Sequence, residues 1–212
     1  MSNFVVFEGG DGSGTTTQLS ILRRRWATDP PLWATAEPTN GPIGRLIRQV
    51  LRKADHICPQ TMAHLFAADR AEHLFAARGI VERCRQGTVV VCDRYVPSSL
   101  AYQGIECSTE LIERLNADFP LPELLVFFDI EPDCALKRIK GRPVQELYEE
   151  AAIQEKVCNR YRELLPVYRG LGSTVEVIDA HGSQDEIAEA LWAVMQKLPI
   201  MGKVRNYETL DL

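Results

Sequence analysis

The sequence predicts an α/β fold in which one parallel β-sheet is covered by helices on both faces. Two observations lead to this prediction. Short apolar runs alternate with longer segments of helical periodicity over the whole 212-residue chain. The apolar runs are also continuous rather than alternating, which is typical of strands buried on both faces. Strand–helix alternation of this kind indicates a single doubly wound domain.

Five segments have the character of strands. Four are short runs rich in Val, Phe, Leu and Ile, and the fifth is less apolar. They are 4–7, 88–92, 124–128 and 174–178, with 32–36 as the fifth. Residues of these types favour the pleated, buried surface of a sheet, so we expect these segments to form it.

Helices are predicted between the strands. The ranges are 15–27, 41–54, 59–86, 108–117, 132–140, 147–170 and 183–198. The long segment at 59–86 opens with Pro59, which a first helical turn accepts, and it ends at Gly87. The last residues, 199–212, lack helical periodicity and are expected to form a tail. One domain is therefore predicted over 1–198.

The charge balance excludes some classes of partner. The chain has 24 Lys+Arg against 29 Asp+Glu and a formal net charge of −5. This disfavours non-specific binding to nucleic acid or anionic membranes, because both need a broad positive field. The hydrophobic content of 45% is that of a globular protein.

The sequence predicts a cytoplasmic protein with reduced cysteines. The N-terminus offers only four apolar residues, Phe4 to Phe7, which are too few for a signal peptide. No apolar stretch reaches the roughly 20 residues that span a bilayer. The six cysteines contain no C-x-x-C pair, and the four histidines lack the spacing of a zinc site.

A glycine-rich segment follows the first strand directly and precedes a helix. It reads Gly9-Gly10-Asp11-Gly12-Ser13-Gly14-Thr15-Thr16-Thr17. In this context backbone N–H groups and the positive end of the helix can bind phosphate oxygens. Gly9 and Gly14 fit the phosphate-loop pattern G-x-x-x-x-G-K-[ST], and Thr16 stands at the hydroxyl position that ligates Mg²⁺. Thr15 stands where the pattern has lysine, so a phosphate site without its usual cation is predicted.

Two further segments carry residues suited to nucleotide binding. One follows the third strand and reads Asp93-Arg94-Tyr95-Val96-Pro97-Ser98-Ser99-Leu100-Ala101-Tyr102-Gln103-Gly104. In this loop, Asp93 can orient Mg²⁺ through water and Arg94 can clamp a phosphate. In the third predicted helix, Phe66 and Arg70 lie one turn apart on the same face. A ring and a planar donor so placed could stack on a base and donate to its carbonyl. Taken alone, the segment equally fits the alternative of a core Phe66 and a surface Arg70.

Together these motifs resemble the thymidylate kinase family of nucleoside-monophosphate kinases. The match also includes Glu37-Pro38, Gly41-Pro42-Ile43-Gly44 with Ile47-Arg48, and Glu155-Lys156-Val157 with Tyr161. It covers nearly the whole chain, and the segment from Asp93 to Gly104 is its most specific part. The resemblance implies a fold like that of P-loop NTPases, with a five-stranded parallel sheet and a short lid at about 139–149. It also implies ATP as donor, dTMP as acceptor, Mg²⁺ and a homodimer.

The resemblance also implies roles for the residues that would hold the acceptor's sugar and phosphate. Asp11 would contact the 3′-hydroxyl of the sugar. Arg48 and Arg94 would hold the acceptor phosphate. Tyr102 would crowd the 2′ position and so favour deoxyribose.

A second group of matching residues would surround the base and the metal. Phe66 would stack on thymine, and Arg70 would donate to its O4. Ser99 and Gln103 would line the base site. The residues implied for the Mg²⁺ and phosphate environment are Thr16, Asp93 and Glu37.

The cation that replaces the loop lysine has to come from elsewhere. Some relatives carry a catalytic arginine in the phosphate loop, which has none here. Others carry it in the lid, where Glu146-Leu147 now stands. We hypothesise that Arg138 and Arg142, assisted by Lys140, close over ATP and supply the charge. The alternative is a solvated helix end, where cations suit the helix dipole.

Two other functions stay open on the sequence. The acceptor could be another deoxynucleoside monophosphate, although Phe66, Arg70 and Ser99 favour a pyrimidine with an acceptor O4. A catalytically impaired nucleotide-binding paralogue would explain the missing lysine and lid arginine. The retained charged residues of the site argue against that second alternative.

Overall fold

A five-stranded parallel β-sheet forms the centre of the molecule. The structure, a computed structural model, describes residues 1–27, 29–52, 56–140, 148 and 150–202. The strands are β1 (Phe4–Glu8), β2 (Leu32–Ala36), β3 (Val89–Asp93), β4 (Leu124–Asp129) and β5 (Thr174–Asp179). Their order is β2-β3-β1-β4-β5, and all neighbours are parallel. The predicted strands and the parallel sheet are therefore confirmed.

The strands are continuous apolar runs because both faces of the sheet are covered. Every residue of β1 and β3 is buried. Successive side chains point to opposite faces of a strand. Phe4 and Phe127 accordingly belong to one hydrophobic core, and Phe7 and Phe128 belong to the other.

Helices pack on both faces of the sheet. In the described part of the chain they are α1 (Thr15–Arg25), α2 (Pro42–Leu51), α3 (Pro59–Phe75), α4 (Ile80–Arg85), α5 (Val96–Tyr102), α6 (Thr109–Asn116), α7 (Pro132–Ile139), α8 (Ala151–Gly170) and α9 (Gln184–Met195). Ser108 and Ser183 cap α6 and α9 by accepting a backbone N–H three residues on. None of these helices is long and apolar enough to cross a membrane.

The prediction of one helix over 59–86 is wrong, because the segment forms two helices. The first, α3, ends at Phe75, and α4 begins at Ile80. Between them Arg78 has a left-handed backbone with φ 60°. An ideal Cβ on Gly79 would lie 2.8 Å from three backbone carbonyl oxygens, so the chain turns where only glycine fits.

The segment after β3 also differs from the prediction. The sequence predicts a loop there, but Val96–Tyr102 forms α5, and a 3₁₀ turn follows at Gln103–Ile105. A proline in the first turn suits this short helix, since its missing N–H is not needed there. The helix puts Ser99 and Tyr102 on a rigid element beside the sheet edge.

Candidate active site

The predicted site residues that the structure describes meet at one edge of the sheet. In the pairing of β1 with β3, Phe7 lies opposite Asp93. The carboxyl ends of these two strands therefore lie side by side. The glycine-rich loop continues from β1, and Arg94 continues from β3. Parallel α/β sheets bind their ligands at this edge.

The glycine-rich loop has a conformation that requires glycine at two positions. Gly12 and Gly14 have left-handed backbones with φ 87° and 97°. A Cβ on Gly12 would lie 2.3 Å from the backbone oxygen of Ala135. Gly14 caps α1, so the loop leads directly to the free N–H groups of that helix. Residues 10–17 line a cavity of about 670 Å³, which we call the phosphate cavity.

Thr15 lies in the phosphate cavity and leaves a place for another cation. It is the first residue of α1 and is buried. Among the residues that the structure describes, the cations lining this cavity are Arg94 and Arg138. Arg138 Nη2 donates to the carbonyl oxygen of Ala180 at 2.7 Å, so the main chain already holds it. Arg142 and most of the predicted lid lie outside the described residues.

Thr16 and Asp93 form a pair between the phosphate loop and the end of β3. Thr16 Oγ1 donates to Asp93 Oδ2 at 2.6 Å. The other carboxylate oxygen of Asp93 is buried and has no hydrogen-bond partner within the described chain. An unpartnered buried acceptor is costly, so this oxygen suits a metal ion or a metal-bound water. The two residues predicted for Mg²⁺ are thus brought together.

Arg94, Asp11 and Tyr102 form a hydrogen-bonded cluster beside the loop. Arg94 has a left-handed backbone with φ 73°, which is uncommon for a residue other than glycine. Its Nη2 donates to Asp11 Oδ1 at 2.6 Å, and its Nη1 donates to the carbonyl of Gly9 at 3.2 Å. The hydroxyl of Tyr102 donates to the same Asp11 oxygen at 3.0 Å. Burial raises the pKa of Tyr102 well above its usual value, so the phenol remains a donor.

Gln154 of α8 completes this cluster and was not predicted. Its Oε1 accepts the N–H of Asp11 at 2.9 Å, and its Nε2 donates to Asp11 Oδ2 at 2.8 Å. The same Nε2 donates to the carbonyl of Tyr148 at 2.8 Å. The only sequence signal was its position next to the Glu155-Lys156-Val157 motif.

Glu8 is a second residue to which the sequence assigned no role, although Phe7-Glu8-Gly9 is part of the match to the family. It is the last residue of β1 and is fully buried. Its carboxylate accepts from the backbone N–H of Tyr95 at 2.8 Å, the Ser98 hydroxyl at 2.6 Å and the Tyr161 hydroxyl at 2.8 Å. Burial raises the pKa of Glu8 from 4.5 to about 7. A carboxyl at the end of an otherwise apolar strand was the signal that could have identified it.

A second cavity, of about 280 Å³, adjoins the phosphate loop. We call it the acceptor cavity. Asp11, Thr16 and Arg94 line both cavities, so the two meet at these residues. The other predicted residues that line the acceptor cavity are Glu37, Arg48, Phe66, Arg70, Asp93, Tyr102 and Gln103. Ser99, also predicted there, lies behind Arg70 instead.

Arg70 is buried at the wall of the acceptor cavity. Its side chain is 1% exposed. Nε donates to Glu37 Oε2 at 2.8 Å, and Nη2 donates to Ser99 Oγ at 3.1 Å. Glu37 is also hydrogen-bonded to His73 Nδ1 at 3.1 Å. The carboxylate of Glu37 is therefore bonded to the buried arginine, while its backbone N–H donates to the carbonyl of Asp93 at 3.0 Å.

Other residues close the acceptor cavity. Arg48 of α2 donates through Nη1 and Nη2 to the carbonyls of Thr39 and Pro38. Gln103 Oε1 is buried without a partner among the described residues, so it can accept a donor from a ligand. Tyr148, which falls within the lid range of about 139–149 implied by the resemblance, also lines this cavity.

Similarity to known proteins agrees with this geometry. Residues 7–191 match the family model described as thymidylate kinase. This chain belongs to the thymidylate kinase family. Among its relatives, a protein of Treponema pallidum that is provisionally named a thymidylate kinase is 43% identical over 87% of this chain and 89% of that protein. The thymidylate kinase of Staphylococcus haemolyticus is 35% identical over 92% of this chain and 98% of that protein.

A solved structure extends the likeness from sequence to fold. The thymidylate kinase of Candida albicans superposes with a TM-score of 0.78 at 27% identity, covering 94% of this chain and 93% of that one. The predicted P-loop NTPase fold and the predicted thymidylate kinase relationship are thereby confirmed. As a member of the thymidylate kinase family, the chain is a nucleoside-monophosphate kinase that uses ATP.

Proposed function

We propose that this chain transfers the γ-phosphate of ATP to dTMP, giving dTDP and ADP. One observation carries the proposal: the acceptor cavity, with a buried arginine in its wall, meets the phosphate cavity at Asp11, Thr16 and Arg94. Donor and acceptor bound there would be in contact. Phosphoryl transfer depends mainly on such alignment and on neutralising the charge of the transferred group.

The phosphate and sugar of dTMP would be held by charged residues at the cavity junction. Arg94 and Arg48 would bind the acceptor phosphate, and Asp11 would accept a hydrogen bond from the 3′-hydroxyl. Tyr102 is hydrogen-bonded to Asp11 and would occupy the space that a 2′-hydroxyl needs. These residues hold the nucleophilic phosphate oxygen in line with ATP.

The base would lie in the remainder of the acceptor cavity. Phe66 lines the cavity and would stack on thymine. Arg70 would donate to O4, supported from behind by Ser99. Gln103 Oε1, which lacks a partner within the described chain, would accept the N3–H.

Mg²⁺ is the cofactor that we propose for the site. Thr16 and Asp93 would hold it, because their oxygens are the ligand type that Mg²⁺ prefers and one of them lacks a partner among the described residues. When bound, Mg²⁺ neutralises charge on the phosphates. The protein's part is to hold the two side chains together through the hydrogen bond from Thr16 Oγ1 to Asp93 Oδ2, which leaves Asp93 Oδ1 for the ion.

Arg138 and Arg142 would supply the charge that the loop lysine provides elsewhere. Arg138 lines the phosphate cavity, which supports its part of this proposal. The proposed role of Arg142 rests on the sequence alone. A homodimer and a cytoplasmic location are proposed from the family resemblance, and light scattering in solution tests the first.

One assay tests the proposed reaction. ADP formation is measured with ATP and Mg²⁺ and each nucleoside monophosphate in turn. A strong preference for dTMP is expected, since the acceptor cavity suits a base with a carbonyl at position 4. Preference for another base would replace the proposed acceptor, and binding without turnover would indicate a non-catalytic role.

A further inference from the structure

Arg70, the proposed donor to the base, has hydrogen-bond partners both in the wall of the acceptor cavity and outside it. Arg70 has five N–H donors and no acceptor. Three of the donors have partners within the described chain, namely Glu37, Ser99 and Asn116. The other two are on the terminal nitrogens of a side chain that lines the acceptor cavity. A buried donor without a partner is costly, so a ligand acceptor placed against these two groups would be bound favourably.

The plane of the guanidinium is fixed as well as its edges. The ring centroid of Tyr95 lies 5.2 Å from the guanidinium carbon, and that of Phe119 lies 5.7 Å from it. Rings at these distances attract a cation to their faces. The guanidinium of Arg70 is therefore held in one orientation before any ligand binds.

Asn116 contributes to this orientation from outside the cavity. It is the last residue of α6, and no described residue of α6 lines either cavity. Asn116 Oδ1 accepts from Arg70 Nη1. Its Nδ2 donates to the carbonyl of Ile112 at 2.7 Å. This second bond fixes which end of the amide faces the arginine, because the carbonyl of Ile112 can only accept.

We propose that Asn116 is a positioning residue that sets base selectivity through Arg70. The proposal rests on the proposed reaction with dTMP. With Nη1 held, the free donors of Arg70 match a base that has a carbonyl at position 4, such as thymine or uracil. Cytosine has an amino group there, so donors would face donors and a buried N–H would remain unpaired. A site built to donate rejects such an analogue strongly.

The experiment replaces Asn116 while leaving the cavity wall intact. Asn116→Leu keeps the size of the side chain and removes the acceptor. We expect kcat/KM for dTMP to fall about 10–100-fold, as for the loss of one hydrogen bond to a charged group. The ratio of kcat/KM for dTMP to that for dCMP should also fall, because Arg70 gains freedom to turn. KM for ATP should stay unchanged.

Two comparison variants separate positioning from folding. Asn116→Asp keeps an acceptor for Arg70 but loses the donor to the Ile112 carbonyl, so it should restore part of the selectivity that Asn116→Leu loses. Ile112→Val alters a buried side chain of the same helix, so it should lower the melting temperature and leave the ratio of dTMP to dCMP unchanged. Equal loss for both substrates with Asn116→Leu, or a matching rise in KM for ATP, would overturn the proposal.

Binding measurements keep this test separate from the test of the reaction. Calorimetric Kd values for dTMP and dCMP are measured on the wild type and on each variant without ATP. Wild type that binds dTMP selectively but forms no dTDP would contradict the proposed reaction and not the role of Asn116. Wild type and Asn116→Leu with the same ratio of Kd values would contradict the role of Asn116 alone.

Discussion

Single residues of the site are paired before any ligand arrives. Arg94 is bonded to Asp11, and Arg70 is bonded to Glu37. Groups held in this way need little rearrangement when charge develops on a transferred phosphate, and such preorganisation usually contributes more to catalysis than any other single effect. For the same reason Thr15, which stands where the loop pattern has lysine, is the most informative residue to substitute.

Thr15→Lys should have little effect in the wild-type chain and a large effect when Arg142 is absent. One positioned cation is worth about 10²–10³-fold in rate. If Arg142 supplies that charge, Arg142→Ala should lose about this much in kcat, and Thr15→Lys should restore most of it in the double variant. The measurement is kcat with ATP and dTMP for the four proteins of the cycle.

The control for this cycle is Lys137→Ala. Lys137 is on the same helix as Arg138 and lines neither cavity, so its removal should leave kcat unchanged. Turnover of Arg142→Ala equal to wild type would show that Arg142 is not the replacement. A large gain from Thr15→Lys alone would show that no residue has taken over the role of the lysine.

Site residues that belong to a family motif could be identified from the sequence. Site residues outside such motifs, whose partners are far away along the chain, could not. Asp11, Arg94 and Arg70 stand in recognisable strings. Gln154 and Asn116 do not, because their partners lie far along the chain: Gln154 is 143 residues from Asp11, and Asn116 is 46 residues from Arg70. A polar residue on a helix has the same sequence pattern whether its partner is water or a buried charge.

At the scale of elements, Glu8 connects the sheet to two helices. It ends β1 and accepts hydrogen bonds from Ser98 of α5 and Tyr161 of α8. The backbone N–H of Tyr95, next to the strained turn at Arg94, is the third donor. These hydrogen bonds connect the end of β1 to the first turn of α5 and to α8 beside Arg94.

The buried carboxyl of Glu8 predicts a pH dependence of stability. Its pKa is raised from 4.5 to about 7 in the folded protein. Between these values the folded state retains a proton that the unfolded chain has lost, so the free energy of unfolding falls as pH rises through this window. The contribution of this group is about 3 kcal/mol at most. Denaturant unfolding of wild type and Glu8→Gln across the window measures it.

In Glu8→Gln the free energy of unfolding should fall much less with rising pH, because glutamine does not titrate. The exposed Glu163 of α8 provides a matched change: Glu163→Gln should keep the wild-type slope. Titratable groups other than Glu8 and Glu163 are present in all three proteins and cancel in the difference. Parallel curves for wild type and Glu8→Gln would contradict a raised pKa for Glu8.

Elements were predictable where one physical signal dominates. Buried parallel strands need continuous apolar runs, so β1, β3 and β4 could be recognised directly. The break after α3 depends instead on a left-handed Arg78, a conformation that non-glycine residues adopt only where packing enforces it. The seven residues of α5 are too few for helical periodicity to show.

At the scale of the whole molecule, the sheet edge joins two cavities into one reaction path. The order β2-β3-β1-β4-β5 puts β1 at the centre, so the loop that follows it faces both cavities. A parallel sheet could be expected from the apolar runs, which do not specify the order of the strands. The meeting of the cavities at Asp11, Thr16 and Arg94 depends on how α5 and α8 pack across the edge, which local sequence does not encode.

This continuity predicts that one molecule can fill both cavities. Adenosine and thymidine joined through their 5′ positions by a chain of phosphates should bind more tightly than ATP, because the second nucleoside then binds intramolecularly. A gain of about 10²–10⁴-fold is expected for the chain length that matches the span, and shorter chains should show none. Calorimetry with Mg²⁺ measures Kd across a series of lengths.

Compounds with two adenosines and the same chains provide the control, since the acceptor cavity suits a base with a carbonyl at position 4. If no member of the series binds more tightly than ATP, the cavities are not occupied together and transfer between them is ruled out.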